Sequence, residues 1–222
     1  MNILDLKPAS EFARIYGCKT VCYGAPGSAK TPLTNTAPRP VMLACEPGLL
    51  SMRGSTVPTY QAFETSKIDD FFNWLTSSQE VKNFDTVCVD SISEMASIYL
   101  VEALKKNSHG MKAYGVMAEN VEKQLRRLYF LPNMHTYLIA KQEIISETNY
   151  KRPYMPGKYL PVQLPHMFDF ILHLGLQNVP GMGQVKAFRC IESFDTMARA
   201  RTGNLLEFEE PHLAKLFAKA MS

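Results

Sequence analysis

Four short stretches of this chain are apolar without alternation: "KTVCYG" (Lys19 to Gly24), "PVMLAC" (Pro40 to Cys45), "DTVCVD" (Asp85 to Asp90) and "TYLIAK" (Thr136 to Lys141). A strand with one wet face alternates apolar and polar residues, so these runs read as strands buried on both faces. Such strands need helices above and below, and the intervening segments supply them. Ile92, Met95, Ala96, Tyr99, Leu100, Ala103 and Leu104 keep helical spacing, as do Met117, Val121, Leu125 and Leu128. "FDFILHLGL" (Phe168 to Leu176) and "VKAFRCIES" (Val185 to Ser193) read as further strands. A closing helix is expected from Pro211, with Leu213, Leu216, Phe217 and Ala220 on one face. This order predicts one α/β domain over residues 1–222, with a mostly parallel central sheet flanked by helices. Residues 1–18 are its lead-in and residues 211–222 its last helix. Ile144 to Pro165 carry four prolines and a glycine without sustained period, which predicts a long loop that is functional or mobile.

Composition narrows the classes. With 222 residues, 46% of them hydrophobic and 20% charged, the chain can bury a real core. A net charge of +3 gives no bulk argument for nucleic-acid binding, so only local patches could carry it. No apolar stretch reaches the length of a membrane span, and "MNILDLKPASEF" lacks the basic and apolar parts of a signal peptide. The five cysteines show no CxxC spacing and four lie in or beside apolar segments, which suggests buried reduced thiols, so the expected location is the cytoplasm. The five histidines are scattered without metal-ligand spacing, and Ser28 in "PGSAK" is not a nucleophile elbow.

The first strand runs directly into "GAPGSAKT", Gly24 to Thr31. This is a phosphate-loop pattern in its proper strand context, altered by Ala29 in place of the last glycine and by Pro32 after the threonine. Gly24, Ala25, Pro26, Gly27, Ser28 and Ala29 would wrap the phosphates with backbone, Lys30 would reach the β and γ phosphates, and Thr31 would offer its hydroxyl to Mg²⁺. Ala29 is expected to open a helix at ordinary negative φ, where a methyl group is tolerated. Pro32 has no N–H to give, which removes one charge-assisted hydrogen bond to phosphate, about 1.5–3 kcal/mol gross. The helix it starts should be short, because Pro38 and Pro40 follow.

Other polar residues end apolar runs. Asp90 can hold Mg²⁺ or cap the next helix, a role that suits Ser91 better. Glu46 can orient or deprotonate an attacking water, or simply be a solvated turn residue before Pro47. Gln142 can sense a γ-phosphate and pass that state to the loop that follows, or merely leave its strand as a polar residue. Arg199 and Arg201, two apart, would face the same way in an extended segment and could clamp phosphate from this subunit or a neighbour, or form a solvated basic face.

These features together resemble the RecA-like branch of P-loop ATPases, and Ala at position 29 is also found in proteins resembling the MoxR-type ATPases. The resemblance implies that Glu46 is the catalytic Glu after the strand following the loop, that Asp90 in "VCVDS" holds Mg²⁺, and that Gln142 in "LIAKQ" is the later glutamine. "RARTG" (Arg199 to Gly203) resembles the Lys-Asn-Arg-Phe-Gly motif of RadA-type members, with Arg199 in place of Lys and Thr202 in place of Phe. It implies basic fingers on a neighbour's nucleotide. "YGAPGSAKT", "LACEPGLLSMRG", "DTVCVDSISEM" and "RARTGNL" resemble a family of small phage-encoded ATPases, known mostly as AAA-domain or ATP-binding proteins, from about Lys19 to Leu206. Some of the wider group act in phage recombination as RecA-like single-strand annealing proteins. The resemblance therefore implies a RecA-like fold, ATP and Mg²⁺, a homo-oligomeric ring or filament, single-stranded DNA, a single-strand-binding protein as partner and the bacterial host cytoplasm. Tyr150, Lys151, Arg152, Tyr154, Lys158 and Tyr159 are the candidate DNA contacts, since cations track phosphates and rings stack on bases. "KKNSHGMKAYG" (Lys105 to Gly115) is a second candidate. Prolines and tyrosines equally serve subunit contacts. The rival functions are a non-hydrolysing ATP switch, such as a helicase loader, and a nucleotide-independent scaffold.

Overall fold

The strand that leads into the phosphate loop is the centre of the sheet. In the computed structural model, which describes Leu6, Glu11, residues 15–107 and residues 109–222, β1 (Lys19–Gly24) is buried along its whole length. It pairs in parallel with β5 (His135–Ile145) on one side and β7 (Phe170–Val179) on the other. The remaining strands are β2 (Pro40–Ala44), β3 (Thr59–Gln61), β4 (Thr86–Asp90), β6 (Tyr150–Pro153), β8 (Gly183–Arg189), β9 (Arg199–Ala200) and β10 (Phe208–Glu209). The main sheet order is β10-β8-β7-β1-β5-β4-β2-β3, with β6 on β5 and β9 on β7. From β7 to β3 every neighbouring pair is parallel, while β8, β9 and β10 join antiparallel. The expected α/β architecture with a mostly parallel sheet is therefore present. Apart from Leu6, Glu11 and residues 15–18, the expected lead-in lies outside the described residues, as does Ser108.

Alternation along the strands divides the core in two. Val21, Tyr23, Leu43, Val89, Leu138 and Ala140 face a layer of helices: α1 (Thr65–Ser77), α2 (Ile92–Lys106), α3 (Gly110–Tyr129) and α4 (Leu160–Met167). Cys22, Met42, Cys88, Tyr137, Ile139 and Leu172 face the opposite side, where α5 (Leu213–Met221) supplies Leu213, Leu216 and Phe217. Both faces are covered, which is why the strand sequences do not alternate. All five cysteines are buried free thiols in these two layers. Among the described residues no helix is long and apolar enough to cross a membrane.

Among the elements absent from the sequence-based expectations are α1 and β3. α1 forms because Ile68, Phe71, Phe72 and Leu75 recur at i, i+3, i+4 and i+7 and bury one face, each side chain contributing about 1.5–3 kcal/mol. β3 is short and exposed and, among the described residues, pairs with β2 alone. The long loop expected over residues 144–165 is a correction. β5 continues to Ile145, β6 folds back on it with Gln142 opposite Pro153, and α4 begins at Leu160. Three of the four prolines fit this structure, while Pro165 lies inside the last turns of α4. Pro153 ends its strand, and Pro161 lies in the first turn of α4, where no N–H is required. Pro156 leads into Gly157, whose φ of +82° makes the turn.

Gly24 closes β1 where no side chain fits. A Cβ there would lie 2.2 Å from the carbonyl oxygen of Leu174, a backbone atom of the paired strand. Gly24→Ala must push β1 away from β7, and the expected loss in a urea-unfolding titration is about 3 kcal/mol.

Candidate nucleotide site

The loop after β1 turns twice through the left-handed region, at Gly27 (φ 77°) and at Ala29 (φ 70°). The second turn corrects the expectation of a negative φ at Ala29. The helix does not start there. Lys30 has right-handed helical angles (φ −61°), so the backbone passes from the left-handed to the right-handed region between Ala29 and Lys30 to enter the turn. An L-residue in that conformation carries about 1–2 kcal/mol of strain. The following element is a 3-10 helix of six residues, Thr31–Thr36, with Pro32 in its first turn; it ends at Ala37, just before Pro38. The short helix is as expected. The hydroxyl of Tyr137 donates to the carbonyl of Lys30 at 2.9 Å and ties the helix start to β5.

Lys30 folds back over its own loop. Its ammonium donates to the carbonyls of Gly24 (2.8 Å) and Ala25 (3.0 Å) and to Ser28 Oγ (3.1 Å). Burial lowers its pKa, opposed by the nearby Asp90 and Glu46. Thr31 donates its hydroxyl to Asp90 Oδ2 at 2.6 Å, joining the loop to the end of β4. Burial raises the Asp90 pKa; the Thr31 hydrogen bond counters it. Ser91 caps α2 by accepting the Glu94 N–H at 3.1 Å, and its hydroxyl donates to Glu46 Oε1 at 2.6 Å. Lys141 stands beside them, 2.5 Å from Glu94 Oε2 and 3.8 Å from Glu46 Oε1. Lys30, Thr31, Asp90 and Glu46 are thus gathered at the carboxyl edge of the parallel strands, where open α/β sheets bind ligands. Ser91 and Lys141 join this cluster without having been singled out as site residues. The "SISE" sequence, a capping-box pattern, marks Ser91; nothing in the sequence marks Lys141.

Gln142 reaches the same edge from the other face of the sheet, one residue beyond the last β1–β5 pair, Gly24 with Lys141. It contacts His173 rather than Lys30, with Oε1 and Nε2 3.1 Å apart. The two arginines lie elsewhere. Arg199 pairs with Ile171 near the beginning of β7, at the end of the sheet opposite the loop. Its guanidinium donates to the Pro165 carbonyl (2.7 Å), and that of Arg201 to the His166 carbonyl (2.6 Å) and Asp169 Oδ1 (3.1 Å). They face the same way, as expected, and cap the last turn of α4, where cations belong. A clamp on this chain's own nucleotide is excluded by that register.

The candidate DNA contacts are spread over the β5–β6 hairpin and the start of α4. Lys151 pairs with Asp195 (2.6 Å) and Arg152 with Glu143 (2.7 Å). The Tyr150 hydroxyl donates to Glu192, and that of Tyr159 to Glu122 at 3.0 Å. The Tyr154 backbone bonds to Lys141 and Ser93, and its ring stays partly exposed. Lys158 and Tyr159 line an open cleft of about 900 Å³ beside α3, shared with Met111 and Tyr114. The second DNA candidate, Lys105 to Gly115, spans the end of α2 and the start of α3.

Ala29 generates a prediction of its own. Ala29→Gly relieves the left-handed strain and gives part of it back as unfolded-state entropy, so a net stabilisation of roughly 0.5–1 kcal/mol is expected by thermal or urea unfolding. A loss of stability would mean that the loop does not hold this conformation.

Residues 17–202 match the AAA_24 family of AAA domains. The chain is similar to a KaiC-like protein, PH0186, from the hyperthermophilic archaeon Pyrococcus horikoshii OT3, at 14% identity and a TM-score of 0.47, covering 78% of this chain and 77% of that one. It is also similar to the RadB recombinase, at 16% identity and a TM-score of 0.48, covering 79% and 82%. No curated protein matches the sequence. The family match spans most of the chain, from just before β1 to just past β9: the chain belongs to the AAA domain family.

Proposed function

We propose that the chain binds ATP with Mg²⁺ at the loop after β1 and hydrolyses it, and that it works as an oligomer on single-stranded DNA in phage recombination or replication. The observation that carries the nucleotide reading is the Thr31–Asp90 hydrogen bond, which brings the end of the loop onto a buried carboxylate at the end of β4. Both groups are hard oxygen donors, and burial makes the Asp90 charge costly without a cation, so the pair fits Mg²⁺. Thr31 and Asp90 would hold the ion, whose charge offsets that of the phosphates when bound.

The rest of the chemistry belongs to the chain. Lys30 exchanges the carbonyls of Gly24 and Ala25 for phosphate oxygens. Glu46, oriented by the Ser91 hydroxyl, takes a proton from the attacking water as its oxygen bonds the γ-phosphorus and the bond to the β–γ bridging oxygen breaks, giving ADP and phosphate. Arg199 and Arg201 can assist only across an interface, in a ring or filament of copies, after leaving the end of α4. The DNA reading is supported by the mixture of cations and tyrosines on the hairpin that leaves β5 beyond Gln142. Lys151 and Arg152 would trade their carboxylate partners for phosphates, and a single-strand-binding protein is the corresponding protein partner.

A second reading is favoured by Pro32, which offers no N–H to a phosphate. A loop weakened in this way would bind ATP as an assembly switch, of the kind that loads a helicase, without turning it over.

Phosphate release from ATP, with and without single-stranded DNA, separates the two. The catalytic reading predicts DNA-stimulated release, abolished in Lys30→Ala and reduced about 10²–10⁴-fold in Glu46→Gln with ATP binding retained. ATP binding without release by the wild type selects the switch. An unaffected Lys30→Ala returns the loop to a relic.

A further inference from the structure

His173 has no part in the reading so far, yet its surroundings are arranged around it. It lies on β7 level with Tyr23 of β1, with ring centroids 5.1 Å apart. Gly175 and Gln177 share its face of the strand. A Cβ on Gly175 would sit 3.0 Å from His173 Cε1, so the glycine leaves the ring room to lie along the strand. Gln177 Nε2 is 3.0 Å from His173 Nδ1, and Gln142 Oε1 is 3.1 Å from His173 Nε2. Gln142 and His173 belong to strands on opposite sides of β1. Their contact therefore bridges the strand that ends in the phosphate loop.

The donors decide the direction of this chain of bonds. The Gln177 amide nitrogen can only donate, so His173 Nδ1 accepts and the ring proton is on Nε2. That proton is given to the Gln142 carbonyl oxygen, which turns the amide nitrogen of Gln142 away from the ring. The opposite arrangement would present the Gln142 carbonyl outward, where it would repel a phosphate. The ring holds one proton only. Burial, followed by Lys151, Arg189 and Lys30, pushes its pKa down to about 4 against the opposing effect of Asp195. Lys30 is thus among the charges that His173 senses.

We propose that His173 is a positioning residue: held by Gln177, it fixes the Gln142 amide with its N–H groups available to the terminal phosphate of a bound nucleotide, so that β7 takes part in telling ATP from ADP. This rests on the nucleotide reading above.

The test is the ratio of affinities for a non-hydrolysable ATP analogue and for ADP, each with Mg²⁺, by titration calorimetry. His173→Phe keeps the ring and removes both bonds; the ratio is expected to fall roughly tenfold while ADP affinity stays within about twofold. In His173→Gln the amide nitrogen stands near the place of Nε2 and preserves the ratio. His173→Asn reproduces only the Nδ1 side and loses it. In a Gln142→Ala background His173→Phe changes nothing further. Gln177→Leu, which frees Nδ1 to take the proton, lowers the ratio in the same direction. An unchanged ratio in His173→Phe, additive effects of His173→Phe and Gln142→Ala, equal behaviour of His173→Gln and His173→Asn, or an equal loss of both ligands with a lowered Tm each overturns the proposal. A wild type that binds neither nucleotide overturns the nucleotide reading itself, and does so before any variant is measured.

Discussion

Parallel pairing of β1 on both sides gives this strand no freedom to slip. A shift of one residue would move Val21 and Tyr23 from the helical layer to the face of Phe217, and Cys22 the other way. Pairing also sets the end of the strand against the Leu174 carbonyl, so that only glycine fits at position 24. The loop therefore leaves the sheet at one point and in one direction, toward the side where Asp90 ends β4 and Glu46 follows β2, beyond the intervening β5. Each contact of the candidate site follows from that departure point: Lys30 over its own carbonyls, Thr31 on Asp90, Tyr137 beneath the first helical turn.

Charge is organised differently at the two ends of the sheet. At the carboxyl edge, buried or half-buried groups of opposite sign stand close together, and burial moves the pKa values of Lys30 and Asp90 in opposite directions. Such groups suit a charged ligand that would take up both. At the other edge, Arg199 and Arg201 are satisfied by the carbonyls that end α4. Their recruitment to a neighbour's nucleotide would uncover those carbonyls. Oligomer formation and the packing of α4 are therefore coupled if the arginines serve as fingers.

Most of the sheet was legible because burial on both faces leaves a one-dimensional trace. β1 matches its apolar run from Lys19 to Gly24, and β2 and β4 differ from theirs by one residue. The residues gathered at the candidate site were legible for the same reason, since Glu46 and Asp90 end such runs. What sequence does not display is pairing between distant segments. The β5–β6 hairpin looks like a proline-rich loop because its stability comes from a register across a turn, and the arginines look free because α4 lies more than thirty residues before them in the chain. The φ of Ala29 is hidden for another reason: it depends on where the helical turn begins, which Pro32 leaves open. His173, Gly175 and Gln177 have the period of two that marks one strand face, but only the fold brings Gln142 to them.

Lys30, Thr31 and Asp90 are proposed to form one site for a magnesium nucleotide. Calorimetric titration of ATP into the wild type, with Mg²⁺ and again with the metal chelated, tests this most directly. Saturable binding at one site per chain is expected, weakened by at least tenfold when Mg²⁺ is removed and absent in Lys30→Ala. Binding of equal strength with and without Mg²⁺, or binding untouched by Lys30→Ala, would contradict it.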